Sequence, residues 1–362
     1  MTTKIRVLIV EDSLTVRKRL RDILAADAGI EIVGEAEDGK GAIELCLEAR
    51  PDVITMDMMM PVMSGLAATE YIMAHCPTPI LVVSASINRG ELFKIYEALA
   101  AGAVDVLEKR IDGDDDGWER RVVAMVKLVA RIRVITHPRA RLAVLAARRP
   151  TNAERAGDMR KTAGPCDVVA IGASTGGPSA ILALLRDLPQ RFRLPILLVL
   201  HINEPFATAF ADWLDGQTSR PVIYATDGMP VDAAAGRVVM APAGRHMIVR
   251  GRCLRLTGDP ERHSCRPSVD VLFESVAEEF RASAAACLLT GMGRDGALGL
   301  LKIRQAGGLT IAQDETTSVV YGMPREAAII GAAAHVLRLG DIGARLAALQ
   351  DGGARTQLEA QA

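Results

Sequence analysis

Apolar runs of strand length alternate with segments of helical periodicity along this chain, and that alternation restricts it to few folds. Residues 5–10, 31–35, 53–56, 80–84 and 104–108 are the apolar runs of the first stretch. Segments 15–26, 40–49, 69–74 and 90–101 between them carry helical patterns. Units in this order predict an α/β domain around a parallel, doubly wound sheet with right-handed crossovers. In such sheets, chemistry collects beyond the carboxyl ends of the strands. The alternation stops near residue 128 and resumes at Cys166. Between lies a basic segment carrying Arg131, Arg133, Arg139, Arg141, Arg148, Arg149, Arg155, Arg160 and Lys161, punctuated by Pro138, Pro150, Gly157 and Gly164-Pro165. It reads as a solvated tether with one short helical turn at 142–146, or as a docking strip for an acidic partner or for one of the domains. The expected division is a first domain at 1–127, a linker at 128–165, a second domain at 166–349 and a frayed polar tail at 350–362.

Composition narrows the class further. A length of 362 residues suits two domains, and 49% hydrophobic residues are enough for two cores. Aromatics make up only 3%, so those cores are expected to be Ala, Leu, Val and Ile. A net charge of -1 gives no footprint for nucleic acid or for an anionic membrane surface. The six cysteines form no C-x-x-C pair, which argues against a zinc site or disulfide framework and for reduced thiols in the cytoplasm. The N-terminus runs straight into a strand without signal-peptide anatomy, and no apolar run approaches the ~20 residues of a membrane span.

Carboxylates cluster at the predicted strand ends of the first domain. Glu11 and Asp12 follow the first strand and Asp57 follows the third. Carboxylates converging in one crevice repel unless a cation joins them, and hard oxygen ligands with room for water suit Mg²⁺. Ser84 ends the fourth strand and Lys109 follows the fifth, where a hydroxyl and an ammonium could contact a phosphoryl group on Asp57. Each alone is an ordinary polar loop residue; their arrival on successive strand ends is what points to a site.

Glu11-Asp12, Asp57 with Met60-Pro61 and Gly65, Ser84-Ala85 and Lys109 together resemble a response-regulator receiver domain. The resemblance implies a flavodoxin-like fold and Mg²⁺-dependent phosphorylation of Asp57 by a histidine kinase of the CheA type. It implies metal ligation by Glu11, Asp12, Asp57 and the carbonyl of Met59, with Ser84 and Lys109 sensing the phosphoryl group. Two positions depart from the family pattern. Arg110 stands where proline usually follows the lysine, and Val106 where an aromatic switch residue often stands.

The second domain opens on a serine bracketed by glycines, Gly172-Ala173-Ser174-Thr175-Gly176-Gly177-Pro178, between an apolar run and a helical segment at 178–188. Glycines permit a sharp turn and close substrate approach, and free N–H groups at a helix start can hold an oxyanion. The spacing fits a nucleophile elbow, but equally a phosphate cradle or a structural turn. A second buried run, 196–201, ends on His201, a natural general base for a hydroxyl if the two strands are neighbours. A third, 286–289, breaks into Thr290-Gly291-Met292-Gly293-Arg294-Asp295-Gly296 before a helix at 297–305. Asp295 can orient an imidazole, and can also complement a helix N-terminus. The order Ser, His, Asp differs from that of α/β-hydrolases, which excludes that superfamily.

These segments, with Ala241-Pro242-Ala243-Gly244-Arg245-His246-Met247, the stretch 266–273, Gln313-Asp314-Glu315 and Val320-Tyr321-Gly322-Met323-Pro324-Arg325, resemble the chemotaxis protein-glutamate methylesterases of the CheB family over residues 166–345. The resemblance implies a doubly wound parallel-sheet esterase domain with Ser174 as nucleophile, His201 as base and acid, and Asp295 as the orienting carboxylate. Backbone N–H groups of Thr175 and Met292 would face the oxyanion, and the esterase reaction would need no cofactor. The substrates would be methyl-accepting chemoreceptors, whose glutamyl methyl esters are hydrolysed and whose glutamines are deamidated. The unphosphorylated receiver would cover the esterase crevice. Leu200-His201-Ile202-Asn203 departs from the family's Gln-His-Met-Pro, and His246 is the fallback base. That departure supports a rival reading, a receiver-controlled interaction module with a catalytically silent second domain.

Overall fold

A computed structural model describes residues 4–85, 88–109, 116–132, 134, 166–202 and 204–359 of the chain. The basic segment 135–165, Arg133, Arg110 and Asn203 lie outside the described residues. The chain divides into two compact units, Met1–Arg149 and Pro150–Ala362.

In the first unit, strands β1 (Ile5–Val10), β2 (Ile30–Ala36), β3 (Val53–Met56), β4 (Ile80–Ser84) and β5 (Asp105–Glu108) form one sheet in the order β2-β1-β3-β4-β5. All its pairings are parallel. Helices α1 (Leu14–Ala25), α2 (Gly39–Ala49), α3 (Gly65–His75), α4 (Arg89–Ala101) and α5 (Asp116–Val129) alternate with the strands. Side-chain caps start several of them: Asp38 accepts from Gly41 N, Ser64 from Ala67 N and Asn88 from Glu91 N. The chain winds outward in both directions from β1 and β3, so the switch point lies between these two neighbours.

In the second unit, seven strands run in the order β14-β13-β12-β6-β7-β9-β8, again parallel throughout. They are β6 (Val168–Ala173), β7 (Ile196–Leu200), β8 (Val222–Tyr224), β9 (Val238–Met240), β12 (Ala284–Leu288), β13 (Leu309–Gln313) and β14 (His335–Leu337). An antiparallel hairpin, β10 (His246–Arg250) with β11 (Cys253–Thr257), stands apart from the sheet. The helices are α6 (Gly177–Asp187), α7 (Phe210–Gln217), α8 (Val269–Phe280), α9 (Ala297–Gln305), α10 (Met323–Ile329) and α11 (Leu339–Glu359). The last continues into the segment read as a polar tail.

Every residue of β6, β7 and β12 is buried, as expected for central parallel strands covered on both faces. Val, Leu, Ile and Ala supply most of this core, with Phe273 and Phe280 among the few aromatics. After β6 the chain moves to one side through β7, β8 and β9, then crosses back to build β12, β13 and β14 on the other. The switch point therefore lies between β6 and β12.

Candidate functional site

Both switch points carry the polar residues singled out in the sequence. In the first unit, Glu11 and Asp12 emerge from β1 and Asp57 from its neighbour β3. Each offers a carboxylate oxygen within 4.8 Å of the others. Glu11 and Asp57 are buried, while Asp12 is exposed. Lys109 Nζ reaches both buried groups, 2.7 Å from Glu11 Oε2 and 2.9 Å from Asp57 Oδ2. Burial pushes the Glu11 carboxyl up to about 7; Lys109 opposes that rise and Asp57 adds to it. Burial likewise raises the Asp57 carboxyl above its ordinary range, against the pull of Lys109 and of the Met59 and Met58 N–H groups. One ammonium among these carboxylates leaves excess negative charge in an all-oxygen donor set, which fits a hard divalent cation.

Local packing holds this pocket. Met59 N–H donates to Asp57 Oδ1 at 3.4 Å. Gly65 opens α3 against the Asp57 backbone, where an added Cβ would lie 1.9 Å from the Asp57 carbonyl oxygen. Ser84 is buried at the end of β4, and its carbonyl accepts from Lys109 N at 2.9 Å. Val106 is buried within β5.

In the second unit, Ser174 and His201 each follow the last residue of adjacent strands, Ala173 and Leu200, which are register partners. His201 N donates to the Ala173 carbonyl at 3.0 Å. Ser174 N donates to the carbonyl of Thr290, just beyond β12, at 3.0 Å. Thr290 is itself held by Gln313 Oε1, which accepts from its N–H at 2.8 Å. Gly291 is packed so closely here that a Cβ would sit 2.8 Å from Ser174 Cβ and 2.3 Å from Met323 Sδ. The serine turn is thus braced by three strands.

Asp295 lies 2.9 Å from His201, Oδ2 to Nε2. The same carboxylate accepts from Ser268 Oγ at 2.8 Å, Val269 N at 2.7 Å and Asp270 N at 3.1 Å, so it sits on the N-terminus of α8. Burial pushes its pKa up, but the bonds from His201, Ser268 and Val269 outweigh that and hold it below the ordinary range. As a carboxylate it only accepts, so His201 Nε2 is the donor and Nδ1 is left for proton transfer. Burial opposes charge on His201, yet its hydrogen bonds to Asp295 and Cys265 raise the imidazole to about 9. Nδ1 lies 3.7 Å from Cys265 Sγ. Among the described residues no hydrogen bond joins Ser174 Oγ to His201; such catalytic bonds often tighten only with substrate bound. A cleft of about 530 Å³ opens over His201, Cys265, Met292 and Asp295.

Thr175 lies in the serine turn itself and Met292 in the turn that follows β12. The Thr175 carbonyl accepts from Thr290 Oγ1 at 3.0 Å, and Met292 projects outward, 57% exposed. His246 is tied to neighbours of its own. Its Nδ1 accepts from Ser268 N at 3.1 Å and its Nε2 donates to the Pro260 carbonyl at 3.2 Å. It thereby anchors Ser268 under Asp295, and its hydrogen bonds reach neither Ser174 nor His201.

Several participants escaped the sequence reading. Cys265 touches His201, Ser268 secures Asp295, and buried Asp270 accepts from Gly299 N at 2.6 Å on α9. The two helix starts therefore exchange carboxylates: Asp295, just before α9, caps α8, and Asp270, in the first turn of α8, caps α9. Ser268-Val269-Asp270 ahead of an apolar run is a legible helix start. Its pairing with a turn far along the chain is not legible.

Residues 169–346 match the family model for the CheB methylesterase, and residues 7–115 match that for the response regulator receiver domain. A protein-glutamate methylesterase/protein-glutamine glutaminase 1 from Syntrophus aciditrophicus is 42% identical over 341 residues, covering 92% of this chain and 95% of that protein. A protein-glutamate methylesterase/protein-glutamine glutaminase 2 from Anaeromyxobacter dehalogenans is 42% identical over 339 residues, covering 93% and 95%. The crystal structure of the Thermotoga maritima CheB methylesterase catalytic domain aligns at TM-score 0.49 and 34% identity, over 51% of this chain and 100% of that one. Matched over nearly its whole length by such relatives and by both family models, the chain belongs to the CheB methylesterase family and carries the receiver domain together with the catalytic one.

Proposed function

We propose that Ser174, His201 and Asp295 carry out hydrolysis of glutamyl methyl esters, and deamidation of glutamines, on methyl-accepting chemoreceptors. The chain is a protein-glutamate methylesterase and protein-glutamine glutaminase by family. What carries the residue assignment is the His201–Asp295 pair, 2.9 Å apart, beside Ser174 at one switch point. Ser174 Oγ attacks the side-chain ester carbonyl while His201 Nδ1 takes its proton. The C–O bond to the methoxy group breaks, the imidazolium returns the proton, and methanol leaves. Water then attacks the acyl-serine with His201 again as base, which frees a glutamate carboxyl and restores Ser174. With a glutamine substrate the leaving group is ammonia. Asp295 keeps the imidazole in one tautomer and stabilises its cation. N–H groups of Thr175 and Met292 face the oxyanion, each worth about 3–4 kcal/mol of barrier. A catalytically silent second domain finds no support, since the imidazole–carboxylate pair is assembled and the relatives carry enzyme names.

In the receiver, Asp57 accepts a phosphoryl group from a CheA-type histidine kinase, and Ser84 and Lys109 contact it. Glu11, Asp12, Asp57 and the Met59 carbonyl would hold Mg²⁺, which neutralises phosphoryl charge when bound. Among the described residues no helix is long and apolar enough to cross a membrane. The cytoplasm, which keeps thiols such as the six free cysteines reduced, is the compartment this reading requires. The decisive experiment is methanol release from methylated receptor membranes. Ser174→Ala abolishes it while circular dichroism shows an intact fold; near-normal release would remove Ser174 from the mechanism.

A further inference from the structure

The amino-end face of the seven-stranded sheet, opposite Ser174, contains a feature that the esterase chemistry does not use. A cavity of about 190 Å³ opens there, lined by Cys166, Gly308, Leu309, His335, Arg345 and Leu349 among others. Cys166 precedes β6, Leu309 opens β13 and His335 opens β14, while Arg345 and Leu349 come from one face of α11. The volume exceeds the ~30 Å³ share of one water several-fold.

Arg345 is the unusual member. It is 2% exposed, and its Nε and Nη1 are buried without a hydrogen-bond acceptor. A guanidinium stays protonated and has five N–H donors to satisfy. A buried charge left without a partner is strongly unfavourable. Arg220, buried to a similar depth, shows the ordinary remedy: its Nη1 and Nη2 donate to the Phe192 and Pro189 carbonyls at 3.0 and 2.9 Å. Among the described residues Arg345 has no such carbonyl, and no Asp or Glu lines its cavity. The His335 ring, half-buried on the same wall, also makes no hydrogen bond among the described residues. Burial and the Arg345 charge hold that imidazole below its usual pKa, so it stays a neutral donor near pH 7. A cavity with an unanswered cation, a second polar ring and, among the described residues of its lining, no acid calls for an anion of small size.

We propose that this cavity binds a small oxyanion of the phosphate or carboxylate class, with Arg345 as its principal partner and His335 as a second donor. The probes are inorganic phosphate and, separately, acetate, added to the full chain with sodium chloride at equal ionic strength as the control. At least one probe raises the unfolding midpoint above that control, and which one does so identifies the anion class; ³¹P line broadening reports phosphate directly. In Arg345→Leu the shift and the broadening disappear, with affinity reduced at least tenfold. That variant unfolds no earlier than the wild type in anion-free buffer, because an unpartnered charge has been removed. Should it fail to fold, Arg345→Lys serves instead, with a weakened but measurable shift. Absence of any shift with both probes overturns the site, as does an undiminished shift in both variants. None of these readouts involves ester turnover, so failure here leaves the esterase reading untouched, and failure of that reading leaves this one untouched.

Discussion

Asp295 has two tasks, and they are separable by mutation. It receives the His201 proton-bearing nitrogen and it caps α8 through Val269 N and Asp270 N. Asp295→Asn should lower kcat by on the order of 10⁴, the cost of losing tautomer control in a serine triad, and also weaken the cap. Ser268→Ala removes one donor to Asp295 and the hydroxyl that caps Val271 N. It should cost about 1 kcal/mol in urea unfolding with a much smaller loss of rate. The pH profile is set by His201. As the proposed base it must be neutral to act, so methanol release should climb with pH and level off above about 9. The stability sign runs the other way. The folded pKa lies above the ordinary imidazole value of 6.5, so the imidazolium stabilises the fold fully below about 6.5, and this is lost as pH rises through about 9. Cys265 contributes to that rise, so in Cys265→Ser the acid limb of the rate profile should move to lower pH. An unmoved limb would show that Asp295 sets the pKa alone.

Among the elements, those the sequence made legible share one property. β6, β7 and β12 are wholly buried, so their side chains are continuous apolar runs that stand out on both sheet faces. The three-residue strands β8 and β9 are too short to show a period, and the β10–β11 hairpin has only partly buried faces. Helix α5 was not resolved from sequence although Trp118, Val122, Val126 and Val129 form a buried stripe, because acidic and glycine residues crowd its start. Helix α3 begins at Gly65, earlier than the apolar pattern alone marks, because Ser64 caps it. That start is sterically exacting. Gly65→Ala would drive a Cβ into the Asp57 carbonyl, and the overpacking should cost about 3 kcal/mol or more in unfolding of the receiver. It should also slow phosphorylation, read by phosphoryl incorporation from a small-molecule phosphodonor; an unchanged rate and midpoint would mean that the α3 start gives way freely.

For the chain as a whole, two α/β units each place an acidic or nucleophilic group at a switch point, and the proposed control would pass from the receiver to the esterase. On the proposed reading, phosphorylation of Asp57 would add charge to a pocket already rich in carboxylates and give Lys109 and Ser84 a new partner. A phosphodonor with Mg²⁺ should therefore raise the rate of methanol release, and Asp57→Asn should eliminate the increment. No rise, with Asp57 shown to be phosphorylated, would reject that coupling. By itself the sequence determined the α/β class, the two sheets and the residues at the strand ends, because burial on both faces writes itself into local apolar runs. Ser174, His201, Glu11, Asp57 and Lys109 were legible as strand-end residues for that reason, and Asp295 as part of the glycine-rich turn between β12 and α9. Only the tertiary structure decided which strand ends are neighbours. It also set Asp295 on the start of α8, Cys265 against His201, and Arg345 in a cavity with no acid among its described lining residues. Those contacts join residues far apart along the chain, and no local pattern encodes a pairing that packing alone brings about.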